Sequence, residues 1–349
     1  MSFVTNFNTA KIEEIVLAKV GNPQRGETLK MSKDLCKFDS EDAPVLTFAF
    51  LKPFKNLERY HFHHHADIEM NELFGYMDNV FKDREDFLNQ SRKSARLLFE
   101  KSQHPNIKSG DLCIAYIDGI QVDGETYEAI SIIKSESQVP FLEISDRGGD
   151  LELITHNGIY PDKIDKGALI INYDKEGGYL VYTFDKSGGE TQFWVKDFLS
   201  VRKRRDSEFK TRQYAEMCNN FVKDGLDSVA EEEKYRIASN AMQYLSDKDK
   251  FNATHFEEEA LRDPEVISSF QEYKQNYQDE EGNTIDEDFE IDNQLAKKIV
   301  GKFKPAIRLD SGVIIRFTPD FAESQGTLER GADTESGKKF IKLYYDEEI

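Results

Sequence analysis

Residues 112–133 contain two short apolar runs, Leu112-Cys-Ile-Ala-Tyr-Ile117 and Tyr127-Glu-Ala-Ile-Ser-Ile-Ile133, separated by the turn sequences Asp118-Gly119 and Asp123-Gly124. The pattern continues to residue 184, and its further members are Phe141-Leu-Glu-Ile144, Leu151-Glu-Leu-Ile154, Ala168-Leu-Ile-Ile-Asn172 and Tyr179-Leu-Val-Tyr-Thr-Phe184, with turns at Arg147-Gly-Gly149 and Glu176-Gly-Gly178. Short strands joined by Gly-containing turns, without helices between them, predict an antiparallel meander.

Helical periodicity precedes this meander. The apolar residues that recur at helical spacing are Leu73, Met77, Val80 and Phe81, followed by Phe87, Leu88, Ala95, Leu98 and Phe99. Further upstream, residues 11–20 are compatible with either a strand or a short helix. Helices followed by an antiparallel sheet indicate an α+β fold and not a doubly wound one.

The chain becomes mostly helical again beyond Ser187-Gly-Gly189, and we therefore expect two domains, residues 1–188 and residues 189–349. The first domain is an α+β domain with the antiparallel sheet. The second is mainly helical and ends in strands: a hairpin over Ala306-Ile-Arg-Leu-Asp-Ser-Gly-Val-Ile-Ile-Arg-Phe317 and a last strand over Phe340-Ile-Lys-Leu-Tyr-Tyr345.

Bulk composition limits the class of protein. The chain has 349 residues, including 25 Phe and 15 Tyr, enough for a packed interior. No run of about 18 apolar residues occurs, so we expect no transmembrane helix. Three widely spaced cysteines favour free thiols in a reducing cytosol over a disulfide framework. The net charge of −20 argues against a protein that coats DNA through its overall charge.

One basic segment stands out against this acidity. Between Lys196 and Arg212 the chain has seven basic residues and three acidic ones. Clustered Arg and Lys residues bind nucleic-acid phosphates by displacing condensed counterions. The alternative is a solvated helix start whose basic side chains form ion pairs with neighbouring carboxylates, and composition alone slightly favours this alternative.

Two further charged segments follow. Residues 279–292 carry eight acidic residues and no basic one, which predicts a solvated loop. A second basic stretch comes next and consists of Lys297, Lys298, Lys302, Lys304, Arg308 and Arg316, opposed only by Asp310.

Motifs for catalysis or metal binding do not emerge. In a strand, His61, His63 and His65 would share one face, but the first and third would lie roughly 13 Å apart, too far for one ion, so a polar strand face is the better interpretation. No spacing of carboxylates marks an acid–base pair, and we expect no enzyme activity, cofactor or metal. Aromatic residues at 193, 194 and 198 could stack on bases, but their spacing favours the buried stripe of a helix.

Several ordered blocks resemble the bacterial nucleoid-associated protein family of the NdpA type. They are Asp86-Phe-Leu-Asn-Gln-Ser-Arg-Lys-Ser-Ala95, Gly110-Asp-Leu-Cys-Ile-Ala-Tyr116, Ala129-Ile-Ser-Ile-Ile133 and Thr191-Gln-Phe-Trp-Val-Lys-Asp-Phe-Leu-Ser-Val-Arg202, with the helix that follows. The resemblance covers roughly residues 60–221. It implies a cytoplasmic protein recovered with the nucleoid and presumed to bind DNA, without an assigned enzyme activity.

These observations lead to one hypothesis and one rival. The hypothesis is non-specific binding of double-stranded DNA through phosphate contacts by Arg202, Lys203, Arg204, Arg205, Lys210 and Arg212, with Lys297, Lys298, Lys302 and Lys304 as a second patch. The rival is an adaptor that binds nucleoid proteins through its acidic surface without touching DNA. Self-association into a homo-oligomer is compatible with both.

Overall fold

The computed structural model divides the chain into two compact units, Phe3–Arg204 and Arg205–Ile349. It describes residues 4–55, 57–186, 192–226, 229, 231–277, 284–302, 306–316 and 328–345. The fold is α+β, as the sequence predicted. None of the helices in these ranges combines the length and the apolar character that a membrane span requires.

The first unit is built on a nine-stranded antiparallel sheet. The strands of this sheet are β1 (Thr5–Asn6), β2 (Lys11–Val20), β3 (Leu29–Met31), β4 (Arg59–Phe62), β5 (Gly110–Val122), β6 (Glu125–Ser135), β9 (Lys166–Ile171), β10 (Leu180–Asp185) and β11 (Val201–Lys203). Two further strands, β7 (Val139–Arg147) and β8 (Asp150–Gly158), form a separate ribbon. The order in the sheet is β11-β4-β10-β9-β6-β5-β2-β3, and β1 pairs with β5. Four of the six strands of the predicted meander, β5, β6, β9 and β10, therefore form the centre of this sheet, whereas the predicted strands at 141–144 and 151–154 form the separate ribbon.

One of the two predicted turns between β5 and β6 is wrong. Asp123 and Gly124 connect the strands with φ values of 51° and 85°, which suits a two-residue hairpin turn. Asp118-Gly119 instead lies inside β5, where the register shifts between Ile117 and Ile120. Gly119 has φ of 82°, and a side chain there would meet the carbonyl oxygen of Thr9. The first Gly signal therefore marks a β-bulge, because glycine accepts positive φ without a steric cost.

Both faces of the sheet are covered, which explains its nearly continuous apolar strands. Along β6, Ile130 and Ile132 belong to one buried cluster, whereas Ala129 and Ile133 belong to another on the opposite face. The helices of this unit are α1 (Ala43–Leu51), α2 (Glu72–Lys82) and α3 (Phe87–Lys101), and the last two confirm the predicted apolar stripes. Residues of α2 and α3 line the first cluster, and residues of α1 line the second.

The buried side chain of Asn71 connects α2 to the edge of the sheet. Its Oδ1 accepts a hydrogen bond from the Phe74 N–H at 3.0 Å and so caps α2. Its Nδ2 lies within hydrogen-bonding distance of three carbonyl oxygens, those of His63 and Leu199 at 3.2 Å and that of Ser200 at 3.0 Å, which share its two hydrogens. These bonds hold the end of β4 beside the start of β11.

The segment before β11 belongs to the core of the first unit. Residues Gln192–Leu199 form a π-helix in which Phe193, Trp194 and Phe198 are buried. The indole N–H of Trp194 donates to Thr183 Oγ1 at 3.1 Å. The prediction that these aromatics form a buried stripe is confirmed. The division between the units falls after Arg204, sixteen residues beyond the expected boundary at 188/189, because this segment packs on the sheet.

Four charged side chains are buried at one end of the sheet. Lys134 lies directly opposite Lys166 across β6 and β9, and Lys166 lies opposite Asp185 across β9 and β10. The carboxylate of Glu136 separates the two lysines, with its Oε1 at 2.8 Å from Lys134 Nζ and 3.0 Å from Lys166 Nζ. Asp185 Oδ1 is 3.3 Å from Lys166 Nζ. All four side chains are at most 2% exposed, so their charges must balance one another.

The second unit is mainly helical. Its elements are α4 (Ser207–Asp224), α5 (Glu231–Asp247), β12 (Lys250–Asn252), α6 (Ala253–Phe256), a π-helix (Glu257–Leu261), α7 (Pro264–Asn276), β13 (Asp288–Glu290), α8 (Asn293–Lys302), β14 (Ala306–Arg308), β15 (Ile314–Arg316), β16 (Leu328–Ala332) and β17 (Lys339–Leu343). Aromatic rings surround the buried Tyr214 of α4, with Phe251 at 3.9 Å between centroids. The predicted hairpin is formed by β14 and β15, although Phe317 lies outside the described residues.

Candidate nucleic-acid interface

The first three residues of the predicted DNA-binding cluster lie at the edge of the large sheet. β11 pairs with β4 so that Val201 lies directly across from Phe62, and Arg202 lies directly across from His61. Val201 and Phe62 are buried in the core, so alternation places Arg202 and His61 on the opposite face of the sheet. Arg59 shares that face, because it lies two residues before His61 on β4. Arg202 itself is exposed.

Lys203 and Arg204 form ion pairs with carboxylates of the same unit. Lys203 Nζ is 3.2 Å from Glu58 Oε2. The guanidinium of Arg204 pairs with Asp174. For Arg202 the described residues offer no carboxylate within ion-pair distance.

The edge has a positive local field that acts on His61. Burial lowers the pKa of His61, and the positive charge of Arg204 lowers it further. His63 and Arg202 act in the same direction, and only Asp174 opposes them. His61 is therefore neutral at pH 7, and an anion beside it would favour its protonated form.

The other three residues of the cluster belong to the second unit, around the start of α4. Arg205 Nη2 donates to Asp286 Oδ2 at 2.9 Å, and its guanidinium lies over the ring of Phe209. Lys210 Nζ is 3.5 Å from Asp286 Oδ1. Arg212 Nη2 is 2.9 Å from Glu208 Oε1, one turn earlier. The cluster is thus divided between the units, and five of its six residues have carboxylate partners.

The acidic segment supplies one of these partners. The expectation of a solvated loop is wrong for residues 284–292, because Ile285, Phe289 and Ile291 are buried in the core of the second unit. β13 in this segment pairs with β12. Asp286 neutralises Arg205 and Lys210. The acidic composition therefore reflects specific pairing as well as solvent exposure.

α8 carries the second predicted patch on an exposed face. Lys298 and Lys302 are one turn apart, and Lys297 lies beside Lys298. All three are exposed, whereas Ala296 on the other side of the helix is buried. No carboxylate within the described ranges lies at ion-pair distance from any of the three lysines. Lys304, the fourth predicted residue, lies outside the described residues.

Comparison with known proteins identifies the class. A family model described as nucleoid-associated protein YejK matches residues 16–335. The chain belongs to this family. The resemblance noted between residues 60 and 221 is confirmed and extends over most of the chain. No curated protein matches the sequence.

In this nucleoid-associated protein, sequence reasoning missed Arg59 and His61 as neighbours of Arg202. The signal was present, because i and i+2 residues of a strand share a face. The polar strand face was predicted to continue to His65, but β4 ends at Phe62. Within the described ranges no three His, Cys, Asp or Glu side chains group as metal ligands would.

Proposed function

We propose that this nucleoid-associated protein binds the phosphate backbone of double-stranded DNA without reading base sequence. The observation that carries the proposal is the exposed lysine face of α8, whose three cations have no carboxylate partner among the described residues. Such cations release condensed counterions from DNA without breaking an internal ion pair. Contacts of this kind position a duplex but carry no sequence information.

The sheet edge provides a second group of contacts, with Arg202 as its principal cation. Lys203 and Arg204 are secondary, because a phosphate must compete with Glu58 and Asp174 for them. The same holds for the residues that follow in the second unit, which are Arg205, Lys210 and Arg212. The basic side chains of these pairs are 20–35% exposed, and surface ion pairs contribute about 0–1 kcal/mol, so a phosphate can displace the carboxylates at modest cost.

Neutralising the lysine face tests this proposal. We expect the triple variant Lys297→Gln, Lys298→Gln, Lys302→Gln to weaken DNA binding about tenfold or more near physiological salt. The slope of log K against log salt should fall by about 2–3, because each phosphate contact contributes about 0.9. The measurement is fluorescence anisotropy of labelled duplexes titrated across salt.

A matched control changes the same charge at another surface. Lys30, Lys33 and Lys37 are also exposed, and their replacement by Gln should leave the salt slope unchanged. AT-rich and GC-rich duplexes should lose affinity equally in the α8 variant. Loss of affinity for one sequence alone, or an equal effect of both triple variants, would contradict a backbone contact by α8.

His61 provides a second test because its protonation should couple to DNA binding. The folded protein lowers the pKa of His61, whereas a nearby phosphate raises it, so binding takes up a proton. Affinity should therefore increase as the pH falls from 8 toward 5.5, and the salt slope should gain up to about 0.9. We expect His61→Asn to remove this pH dependence and His104→Asn to retain it. Unchanged pH dependence in His61→Asn would exclude the sheet edge as a contact.

The adaptor remains the second candidate. It is favoured by the net charge of −20 and by the pairing of five of the six cluster residues with carboxylates. The same salt titration separates the two functions. A protein that acts only through nucleoid proteins will show no affinity for duplex DNA even at low salt.

A further inference from the structure

The ribbon formed by β7 and β8 has one mainly aliphatic face and one face that carries most of its charged residues. Residues directly opposite each other share a face, and the register pairs Ile144 with Leu153 and Leu142 with Thr155. Asp146 pairs with Leu151 in the same set. Alternation therefore places Leu142, Ile144, Leu151 and Leu153 on one side, whereas Phe141 and Ile154 lie on the other.

This apolar face is open to solvent. The exposed fractions are 63% for Leu142, 72% for Ile144, 70% for Leu151 and 66% for Leu153. Among the described strands, β7 and β8 pair only with each other. An isolated two-stranded hairpin is marginal in water, and an exposed aliphatic face of this kind indicates a partner.

The opposite face already satisfies its polar groups within the ribbon. His156 Nε2 lies 2.6 Å from Glu143 Oε2, and the His156 ring stacks on Phe141. Arg147 Nε is 3.7 Å from Glu152 Oε2. The polar face is thus the side that remains in water when the apolar face is covered.

The charges of the ribbon make DNA an unsuitable occupant. The carboxylates of the ribbon are those of Glu143, Asp146, Asp150 and Glu152, and its only Lys or Arg residue is Arg147. A ribbon that enters a DNA groove needs the opposite balance. The face therefore suits a protein surface better than nucleic acid.

We infer that the apolar face of the β7–β8 ribbon associates with the same face of a second copy of this chain. The face is self-complementary in an antiparallel two-fold arrangement. The only carboxylate on this face is that of Asp146, near the turn between the two strands. In the dimer it would lie beside Thr155 and Asn157 at the opposite end of the partner copy's ribbon, whose hydroxyl and amide groups can donate hydrogen bonds to it. No like charges meet, and Ile144 and Leu153 lie near the axis.

The available area fits a weak dimer. Four aliphatic side chains, each giving up on the order of 100 Å², provide roughly 800 Å² from both copies. The neighbouring Pro140 and Thr155 bring the total to about 1,000 Å², the lower limit for a specific interface. Interfaces of this size are typical of weak complexes, so we expect the full chain to exchange between monomer and dimer at micromolar concentration.

Sedimentation velocity of the full chain across micromolar concentrations tests this inference. We expect a reversible dimer, and the double variant Ile144→Lys, Leu153→Lys should raise its dissociation constant at least about 30-fold. The matched control is Val45→Lys with Met70→Lys, since these side chains are 68% and 63% exposed in the same unit. The control should dimerise like the unmodified chain. Thermal unfolding of the ribbon variant at low concentration should be unchanged, because its side chains are already exposed.

Cross-linking locates the interface independently. With Cys36 replaced by Ser, Ile144→Cys should form an intermolecular disulfide on oxidation, whereas Val45→Cys should not. A chain that remains monomeric at all concentrations would overturn the inference. So would a dimer that the double ribbon variant leaves intact, because another surface would then form it.

Discussion

Replacing Lys166 with methionine will lower the free energy of unfolding of the first unit by about 3–5 kcal/mol. The side chain of Lys166 is fully buried between Glu136 and Asp185, both of which are at most 2% exposed. Without the Lys166 ammonium group, the buried carboxylates of Glu136 and Asp185 share only one cation of this group, Lys134. A buried charge without a partner is far more costly than the loss of an exposed ion pair.

Urea unfolding followed by tryptophan fluorescence measures this loss selectively. The chain has a single tryptophan, and Trp194 lies in the core of the first unit. Lys52→Met is the matched control, because Lys52 pairs with Asp162 at the surface and should contribute less than about 1 kcal/mol. Adding Asp185→Asn to Lys166→Met should recover part of the stability. Equal effects of the two lysine substitutions would refute a balanced buried cluster.

Replacing Trp194 with alanine will destabilise the first unit by about 3–5 kcal/mol. The indole is fully buried, lies 5.0 Å from the Phe198 ring between centroids, and donates to Thr183 Oγ1 at 3.1 Å. Its removal leaves a large cavity and the Thr183 hydroxyl without that donor. Calorimetry or far-ultraviolet circular dichroism must replace fluorescence, because the substitution removes the only tryptophan.

The same variant distinguishes a core role from base stacking. If Trp194 acts only in the core, DNA affinity per folded molecule will be unchanged at a temperature where the variant is folded. Phe48→Ala is the control for loss of an aromatic ring, since Phe48 is 54% exposed, and it should change stability little. A drop in DNA affinity with unchanged stability of Trp194→Ala would support direct stacking instead.

The internal ion pairs also bear on the proposed function. Asp286 pairs with two members of the basic cluster, and Asp174 pairs with a third. A phosphate that binds these residues must replace a carboxylate, so each such contact adds less to the binding free energy than a contact with a cation that has no carboxylate partner. We therefore expect α8 to account for a larger share of the salt slope than the cluster between residues 203 and 212.

The sequence predicted the features that depend on local periodicity. The short apolar runs from residue 112 onward correspond to β5, β6, β9 and β10 of the sheet and to the β7–β8 ribbon, and the stripes at helical spacing correspond to α2 and α3. These predictions succeed because burial on a sheet face or a helix face repeats at a fixed residue spacing. The Gly signal at Asp118-Gly119 was ambiguous, because turns and bulges both require positive φ.

What local sequence could not supply is the identity of distant partners. Lys203 and Arg205 pair with Glu58 and Asp286, residues that are far from them along the chain, so composition could favour a paired cluster but could not identify the carboxylates that pair with it. The acidic segment looked solvated because its apolar residues are few, yet Phe289 is buried by tertiary packing.

The β7–β8 ribbon shows the same limit, since its short apolar runs predicted strands like those of the sheet although its apolar face is left exposed. The sequence by itself determined the α+β class, the meander and the family. The tertiary structure alone decided which charges are paired and which apolar face is open, because electrostatic and hydrophobic contacts act through space and not along the chain.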